Sequence, residues 1–415
     1  MAQKRILIPG GKFSDWALVN AAHRLGLYVI TSGTHRNAPA HQFSDEYVYA
    51  DYSDKEAMLQ LAKDKKIDYM CSCANDFGML STAYVCEKLG LPGHDSYETT
   101  WTIHHKDTFK PIAKKLGLHS PVSTVFSDKA EAIEFIKDAG KLMIVKPSDN
   151  VASIGVSVPR TEAEIEKTIE LAFEKSKNHM VLVEPFVQGF FATVTSMIIN
   201  QEVVAFFANS SCKYPQGEVI GPEFPANERD NGGSQPSLYF NDYAPTIIED
   251  FNKIARELKL VDGKFHCELL ISPDHTAQIF DVHRRMSGEN TPWHEWNETT
   301  GLNWEDWIVR AECGMDLSDF PVGIKQSRFF HNRKIYAPKN GIYSRIILDE
   351  YLTKHLHHGY EGKNYILYDK VVTDHFHEPV ADLKFEFGSQ TEMEQIADIT
   401  VDNFYPHVTF EYKSF

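Results

Sequence analysis

Two carboxylates stand in two short apolar runs, Glu268 within Phe265–Ile271 and Asp281 within Gln278–Val282. The runs flank the turn-forming Pro273–Asp274–His275, which predicts an antiparallel pair over Lys264–Leu270 and Ala277–Val282. Carboxylates on paired strands that face one side lie close together. Like charges in a half-buried site are costly unless a cation compensates them. Two hard oxygen ligands plus phosphate oxygens suit Mg²⁺. His283 and Arg285 follow Asp281 at steps of two, which keeps them on the same sheet face while the strand continues. Cys267 and Arg284 alternate away from that face. The competing reading is a solvated, salt-bridged strand surface.

A second group surrounds Lys146, which ends the apolar strand Leu142–Val145 and precedes Pro147. Ser148, Ser153 and Gly155 follow in a loop of small residues. Small residues let backbone N–H groups approach phosphate oxygens. No Gly-Lys-Ser/Thr follows, so this is not a Walker A loop. Val181–Phe186 is a strand running into a turn, and its end could present backbone groups to an adenine edge. The alternative there is an edge strand stopped by Pro185.

These residues need elements to hold them. The first hundred residues alternate strand and helix: Arg5–Pro9, Asp15–Leu25, Tyr28–Thr31, Glu46–Ala50, Lys55–Asp64, Ile67–Cys71 and Phe77–Leu89, with Gly90 as the stop. That alternation implies right-handed crossovers and a parallel sheet, an α/β fold. Next come a helix over Thr102–Leu116, strands over Val122–Phe126 and Val156–Val158, and helices over Asp128–Asp138 and Glu162–Lys175. Strands follow over Met180–Val183, Thr193–Ile199 and Glu202–Phe207. Residues 209–245, rich in Gly, Pro, Asn and Ser, read as a substrate or lid loop. Helices are expected over Pro245–Leu258 and Leu302–Cys313. From about Val322 short strands take over.

In this order the pieces resemble the ATP-grasp superfamily, over about residues 4–320. The resemblance is closest to the branch holding biotin carboxylase, carbamoyl-phosphate synthase, the purine-pathway carboxylases and the L-amino-acid ligases. It is carried by Ile6–Leu–Ile–Pro–Gly–Gly11, Ser44–Asp45–Glu46, Leu89–Gly–Leu–Pro–Gly93, His105–Lys106–Asp107, Ser153–Ile–Gly–Val156, Glu184–Pro–Phe186, Glu268 and Asp281–Val–His–Arg–Arg285. The resemblance implies a pre-ATP-grasp domain over 1–100, a two-lobed ATP-grasp domain over 101–322 with its lid lobe at about 120–185, and a β-rich domain over 323–415. It implies ATP and Mg²⁺ as cofactors. Lys106 would bind phosphate, and Lys146 the α-phosphate and adenine. Ser153 and Gly155 would lie in the lid over the phosphates. Glu184 would meet the adenine amino group and the Phe186 N–H the ring. Glu268, Asp281 and His283 would hold the metal, and Arg285 the transferred phosphoryl group. Asp281 replaces a Glu and His283 an Asn, a change that tilts the site toward Mn²⁺. Phe191 stands where the family places a ribose-binding Glu.

The implied chemistry is attack of a carboxylate on the γ-phosphorus, then of an amine on the acylphosphate, giving an amide with a small amino-acid-like substrate. Gly288, Glu289, Trp293, His294, Glu295 and Trp296 follow the metal strand, where relatives close over the acceptor. They suit a pocket for an ammonium group or ordinary aromatic packing. Carboxylation through carboxyphosphate and nucleotide binding without turnover are the alternatives.

Composition narrows the rest. Forty-two basic and fifty-eight acidic residues leave a net charge of −16, unlike a nucleic-acid binder with its basic surface. Apolar residues at 42% and charged residues at 24% fit a folded chain, and no apolar run nears the roughly 18 residues of a membrane span. Met-Ala-Gln-Lys-Arg leads into only Ile6–Leu7–Ile8, so a cytoplasmic chain is expected. Six cysteines read as free thiols. His104–His105, His355/His357/His358 and His375/His377 lack the spacing of a zinc site and read as solvated. Pro9–Gly10–Gly11 lacks Gly-x-Gly-x-x-Gly, which excludes a dehydrogenase. Small-molecule carboxylate and amine partners are expected, with a homodimer possible, since relatives of this kind are often dimers.

Overall fold

The computed structural model describes residues 3–149, 154–213, 230–287, 292–357, 364–375, 378–397 and 407–413. The chain opens with β1 (Arg5–Pro9), α1 (Phe13–Arg24), β2 (Tyr28–Gly33), β3 (Glu46–Tyr49), α2 (Lys55–Lys65), β4 (Tyr69–Met70) and α3 (Asp76–Leu89). The four strands form one parallel sheet in the order β3-β2-β1-β4. Chain order reverses between β1 and β4, and a ligand crevice lies outside the carboxyl ends of strands at such a point. Gly10 ends β1 at φ +133°, and a Cβ there would meet the Asp15 carboxylate at 2.7 Å and the Cys73 Cβ at 2.8 Å. Asp15 bridges the two strand ends, accepting from the Lys12 N–H at 2.9 Å and the Ala74 N–H at 3.0 Å.

One expected helix is two. α4 (Tyr97–His104) ends and α5 (Lys106–Leu116) begins around an extended His105. The His105 ring stacks on Trp101 at 3.7 Å and bonds the Trp101 carbonyl at 3.0 Å. The Thr108 hydroxyl bonds the Thr102 and His105 carbonyls at 2.9 and 2.8 Å. Side chains that take backbone carbonyls compete with the helical ladder. The break puts Lys106 on the first turn of α5.

A small lobe follows, built from β5 (Thr124–Phe126), α6 (Lys129–Asp138), β6 (Met143–Pro147), α7 (Glu162–Lys175) and β7 (Val181–Pro185). Its sheet is antiparallel in the order β5-β7-β6. The expected strand at Val156–Val158 is only a bridge from Ser157 to Val145.

β8 (Phe190–Ile199), β9 (Glu202–Lys213), β10 (Asp230–Gln235), α8 (Phe240–Leu258), β11 (Gly263–Ile271) and β12 (Ala277–His283) build the central sheet. The expected loop at 209–245 is therefore mostly strand and helix where it is described. Gly232 and Gly233 suit a strand because neighbouring backbone crowds them. A Cβ on Gly232 would sit 1.9 Å from the Asn332 carbonyl oxygen. α9 (Pro292–Thr300), α10 (Trp304–Glu312), β13 (Phe329–Tyr336), β14 (Gly341–Leu348), α11 (Glu350–Thr353), β15 (Asn364–Val372), β16 (Pro379–Phe387), α12 (Gln390–Ala397) and β17 (Val408–Lys413) complete the chain. β13 and β16 extend the central sheet to the order β12-β11-β8-β9-β10-β13-β16, and β15-β14-β17 form a separate sheet. The resulting architecture is α/β, as the alternation of strands and helices implies.

The N-terminal sheet is locked to the central one by buried polar groups as well as by apolar packing. Glu312 accepts from the Ser72 N–H at 2.6 Å and pairs with Lys264, all three buried. Arg284 pairs with Asp95 at 2.5 Å and bonds the Val261 carbonyl at 2.7 Å, the structural role its outward alternation predicts.

His331 on β13 is buried, with Nδ1 2.8 Å from the Ser234 hydroxyl. Burial lowers its pKa from 6.5 to about 3. Between those values the unfolded chain holds the proton and the folded one does not. Its contribution is thus complete above pH 6.5 and is lost as pH falls toward 3. We expect His331→Asn to flatten the fall of thermal midpoint over that window. An unchanged acid slope would refute this.

Candidate functional site

The hairpin turn at Ser272–Thr276 closes through the Ser272 N–H to the Thr276 carbonyl at 2.8 Å. It sets β11 against β12 with Glu268 directly opposite Asp281. The register then shifts between Glu268 and Leu269, leaving Phe280 as the extra residue of a bulge. Bulges beside sites re-aim side chains. Cys267 points into the apolar core.

The carboxylate pair is half-buried and does not ionise evenly. Burial, then the Asp281 charge, push Glu268 up. Against its own burial, Asp281 is held well down by Lys106 and then His283. Lys106 Nζ donates to Asp281 Oδ2 at 2.6 Å. The lysine expected on phosphate thus rests on Asp281, one of the carboxylates expected to hold the metal. His283 follows on the strand with Nε2 3.5 Å from Asp281 Oδ2. Arg285 reaches across to the N-terminal unit, its Nε donating to Asp76 Oδ1 at 2.5 Å and Nη2 to Oδ2 at 3.3 Å. Against its burial, His283 and then Arg285 hold the Asp76 pKa well below the usual carboxylate range.

Four α5 residues after Lys106, on the same helix face, stands Lys110. It pairs with Glu184 Oε1 at 3.0 Å. Lys146 pairs with the other carboxylate oxygen, and the Ser123 hydroxyl also donates to Glu184. Lys110, Lys146 and Glu184 are each more than nine-tenths buried. Burial lowers Lys146 to about 8, with Glu184 opposing. Burial would raise Glu184, but Lys110 and Lys146 hold it at about 2. The Lys146 ammonium also lies 3.7 Å from the centre of the Phe280 ring. Phe191 packs edge-on against Phe280 at 5.7 Å. An aromatic wall therefore stands where a ribose-binding carboxylate is absent.

Several expected roles meet occupied groups. The Glu184 carboxylate is taken by two lysines and a serine. The Phe186 N–H donates to the Leu142 carbonyl at 2.9 Å, so it is not free for a ring nitrogen. Gly155 lies in a turn at φ +78° against Lys175 and Pro147. Ser153, Gly288 and Glu289 fall outside the described residues, as do the side chains of Trp293, His294 and Glu295. Trp296 is buried in the core. His104, His105 and His355 are buried, not solvated, because each packs under a helix or an aromatic ring.

Asp76, Lys110, Ser123 and Phe280 were not singled out from the sequence, and His104 was read as solvated. Lys110 carried a signal in its spacing from Lys106. Asp76 carried another, being at the helix start just past β4, beside the reversal of strand order.

As for similarity, residues 104–214 match the family model described as phosphoribosylglycinamide synthetase, ATP-grasp (A) domain. Formate-dependent phosphoribosylglycinamide formyltransferase of Methanocaldococcus jannaschii is 27% identical over 194 residues, 44% of this chain and 48% of that one. D-alanine–D-alanine ligase of Flavobacterium johnsoniae is 23% identical over 199 residues, 44% of this chain and 60% of that one. The chain thus spans about half to three-fifths of these relatives' length. Among solved structures, L-amino acid ligase from Bacillus licheniformis superposes with a TM-score of 0.69 at 19% identity, covering 100% of both chains. Biotin carboxylase from Campylobacter jejuni superposes with a TM-score of 0.68 at 13% identity, covering 100% of this chain and 93% of that one.

Proposed function

For a chain with the ATP-grasp fold, we propose ATP-dependent ligation of a small carboxylate to an amine, through an acylphosphate and with release of ADP. The carrying observation is the half-buried Glu268–Asp281 pair, set face to face by strand register and contacted by Lys106. Its donor set is all oxygen and its like charges call for a cation, which fits Mg²⁺. Bound there, the cation would neutralise phosphate charge. Glu268 and Asp281 would hold it, with Mn²⁺ an acceptable substitute. Nucleotide phosphates would draw Lys106 and Lys146 from their carboxylate partners. Arg285 would leave Asp76 for the transferred phosphoryl group, to which its fork can donate two hydrogen bonds. Phe280 and Phe191 offer apolar surface to the nucleoside. Retention of five charged groups in one cleft, Lys146 buried and Lys106, Glu268, Asp281 and Arg285 half-buried, speaks against a decayed, non-catalytic site, because such charges are costly without a role. No helix among the described residues is long and apolar enough to cross a membrane, and we assign the reaction to the cytoplasm.

The test is ADP release from ATP with Mg²⁺ or Mn²⁺, across amino acids and small carboxylates singly and in pairs. Release that needs a carboxylate and an amine together supports ligation. Release that needs bicarbonate moves the reaction to carboxylation. Nucleotide binding without release under any condition overturns the enzyme reading.

A further inference from the structure

Behind the phosphate end lies a second cluster of ligand-type side chains. Asp76 opens α3, His104 ends α4 and His283 ends β12. All three are buried, and one ligand atom from each lies within 4.8 Å of the others. His283 Nδ1 is 3.2 Å from Asp76 Oδ1, and His104 Nδ1 is 3.7 Å from the same oxygen. Bonds of about 2.0–2.1 Å in a tetrahedral site put ligand atoms about 3.4 Å apart, so these separations suit one ion. Neither Nδ1 makes a hydrogen bond, although His104 is 7% and His283 3% exposed. Both ring nitrogens face one carboxylate oxygen at ion-pair distance without hydrogen-bond geometry, and a shared cation would account for both.

We propose that Asp76, His104 and His283 form a transition-metal site, separate from the Mg²⁺ held by Glu268 and Asp281. This deepens the proposed function by giving the ligase cleft two cations of different chemistry. Two imidazoles and one carboxylate select a borderline dication such as Zn²⁺, Co²⁺ or Fe²⁺ over Mg²⁺. The surroundings are those of a ligating shell. The second ring nitrogen of His283 faces Asp281, and Asp76 is braced by Arg285. Ligating histidines and carboxylates are held by such outer partners. Three protein ligands leave a tetrahedral position open, which suits a cleft where a second substrate must dock. In this arrangement His283 serves the second ion and only backs Asp281 toward the first.

Co²⁺ is the probe, added to the full-length protein, which is then dialysed without nucleotide. One equivalent should remain by elemental analysis, with visible bands of nitrogen-ligated Co²⁺ and two imidazoles in the X-ray absorption fine structure. His104→Gln and Asp76→Asn should each weaken Co²⁺ binding at least about tenfold, while Glu268→Gln keeps it. Circular dichroism checks that the variants fold, and the wild-type absorption data decide the matter if they do not. The proposal is overturned by no retained Co²⁺, by an all-oxygen shell, or by retention lost in Glu268→Gln and kept in His104→Gln. None of these readouts uses ATP turnover, so failure of the ligase reading would be seen separately.

Discussion

Arg285→Ala and Glu268→Gln each lower substrate-dependent ADP release by about 10³-fold or more, the scale of losing a charge-stabilising group in phosphoryl transfer. The two losses have different origins. Glu268→Gln removes half of the carboxylate pair, so its defect should shrink as Mg²⁺ or Mn²⁺ is raised. Arg285→Ala removes the fork and also strands Asp76, which is buried and paired with it. Its thermal midpoint should fall too. Arg285→Lys separates the effects: it restores a cation near Asp76 but not two fixed donors. Stability should recover in that variant while turnover stays low. If Arg285→Lys regains full turnover, bidentate phosphoryl contact is the wrong role for this residue.

Glu184→Gln should cost about 3–5 kcal/mol of stability, the scale found when one partner of a buried ion pair is removed. The loss is large because Lys110 and Lys146 would share a buried space with no counter-charge. The acid limb carries the same information. Glu184 has its pKa depressed from 4.5 to about 2 on folding, so its contribution is complete above pH 4.5 and is lost as pH falls toward 2. That depression corresponds to about 3 kcal/mol. Denaturant unfolding at pH 7 and between pH 5 and 2 measures both. Glu184→Gln should be less stable at pH 7 and flatter below pH 4.5. Adding Lys146→Met should recover part of the loss at pH 7, because one stranded cation is then gone. A double variant no more stable than Glu184→Gln would show that the two charges do not interact as the geometry says.

Much of this site was legible because its residues are local in sequence. Glu268 and Asp281 are joined by one short hairpin, and a hairpin with apolar flanks restricts register. Lys146, Glu184 and the strands that carry them follow directly from period and length. What strict alternation could not reveal is the bulge, which makes Phe280 a neighbour of the Lys146 ammonium. Nor could it show that Arg285 lies beyond the strand end and reaches Asp76. Asp76 and His104 come from elements about two hundred residues earlier, and only the packing of α4 on β12 and of α3 on α4 unites them with His283. The fold had a similar gap. β10 is held by backbone pairing through Gly232 and Gly233, so no side-chain pattern announces it. The break at His105 depends on a ring stack and a hydroxyl, which helical periodicity does not see.

Helix α5 sets Lys106 on Asp281 and Lys110 on Glu184, and the Lys110 ammonium also donates to the Ser120 hydroxyl, which bonds the Ile279 carbonyl. One helical turn of about 5.4 Å therefore acts as a ruler laid along the cleft, with a charge at each mark. Its length cannot be adjusted by rotamers alone, and its phase is as rigid as its pitch. A single residue inserted between positions 106 and 110 would turn one lysine by about 100° away from the other. One of the two carboxylates would then lose its lysine, although neither carboxylate had been touched.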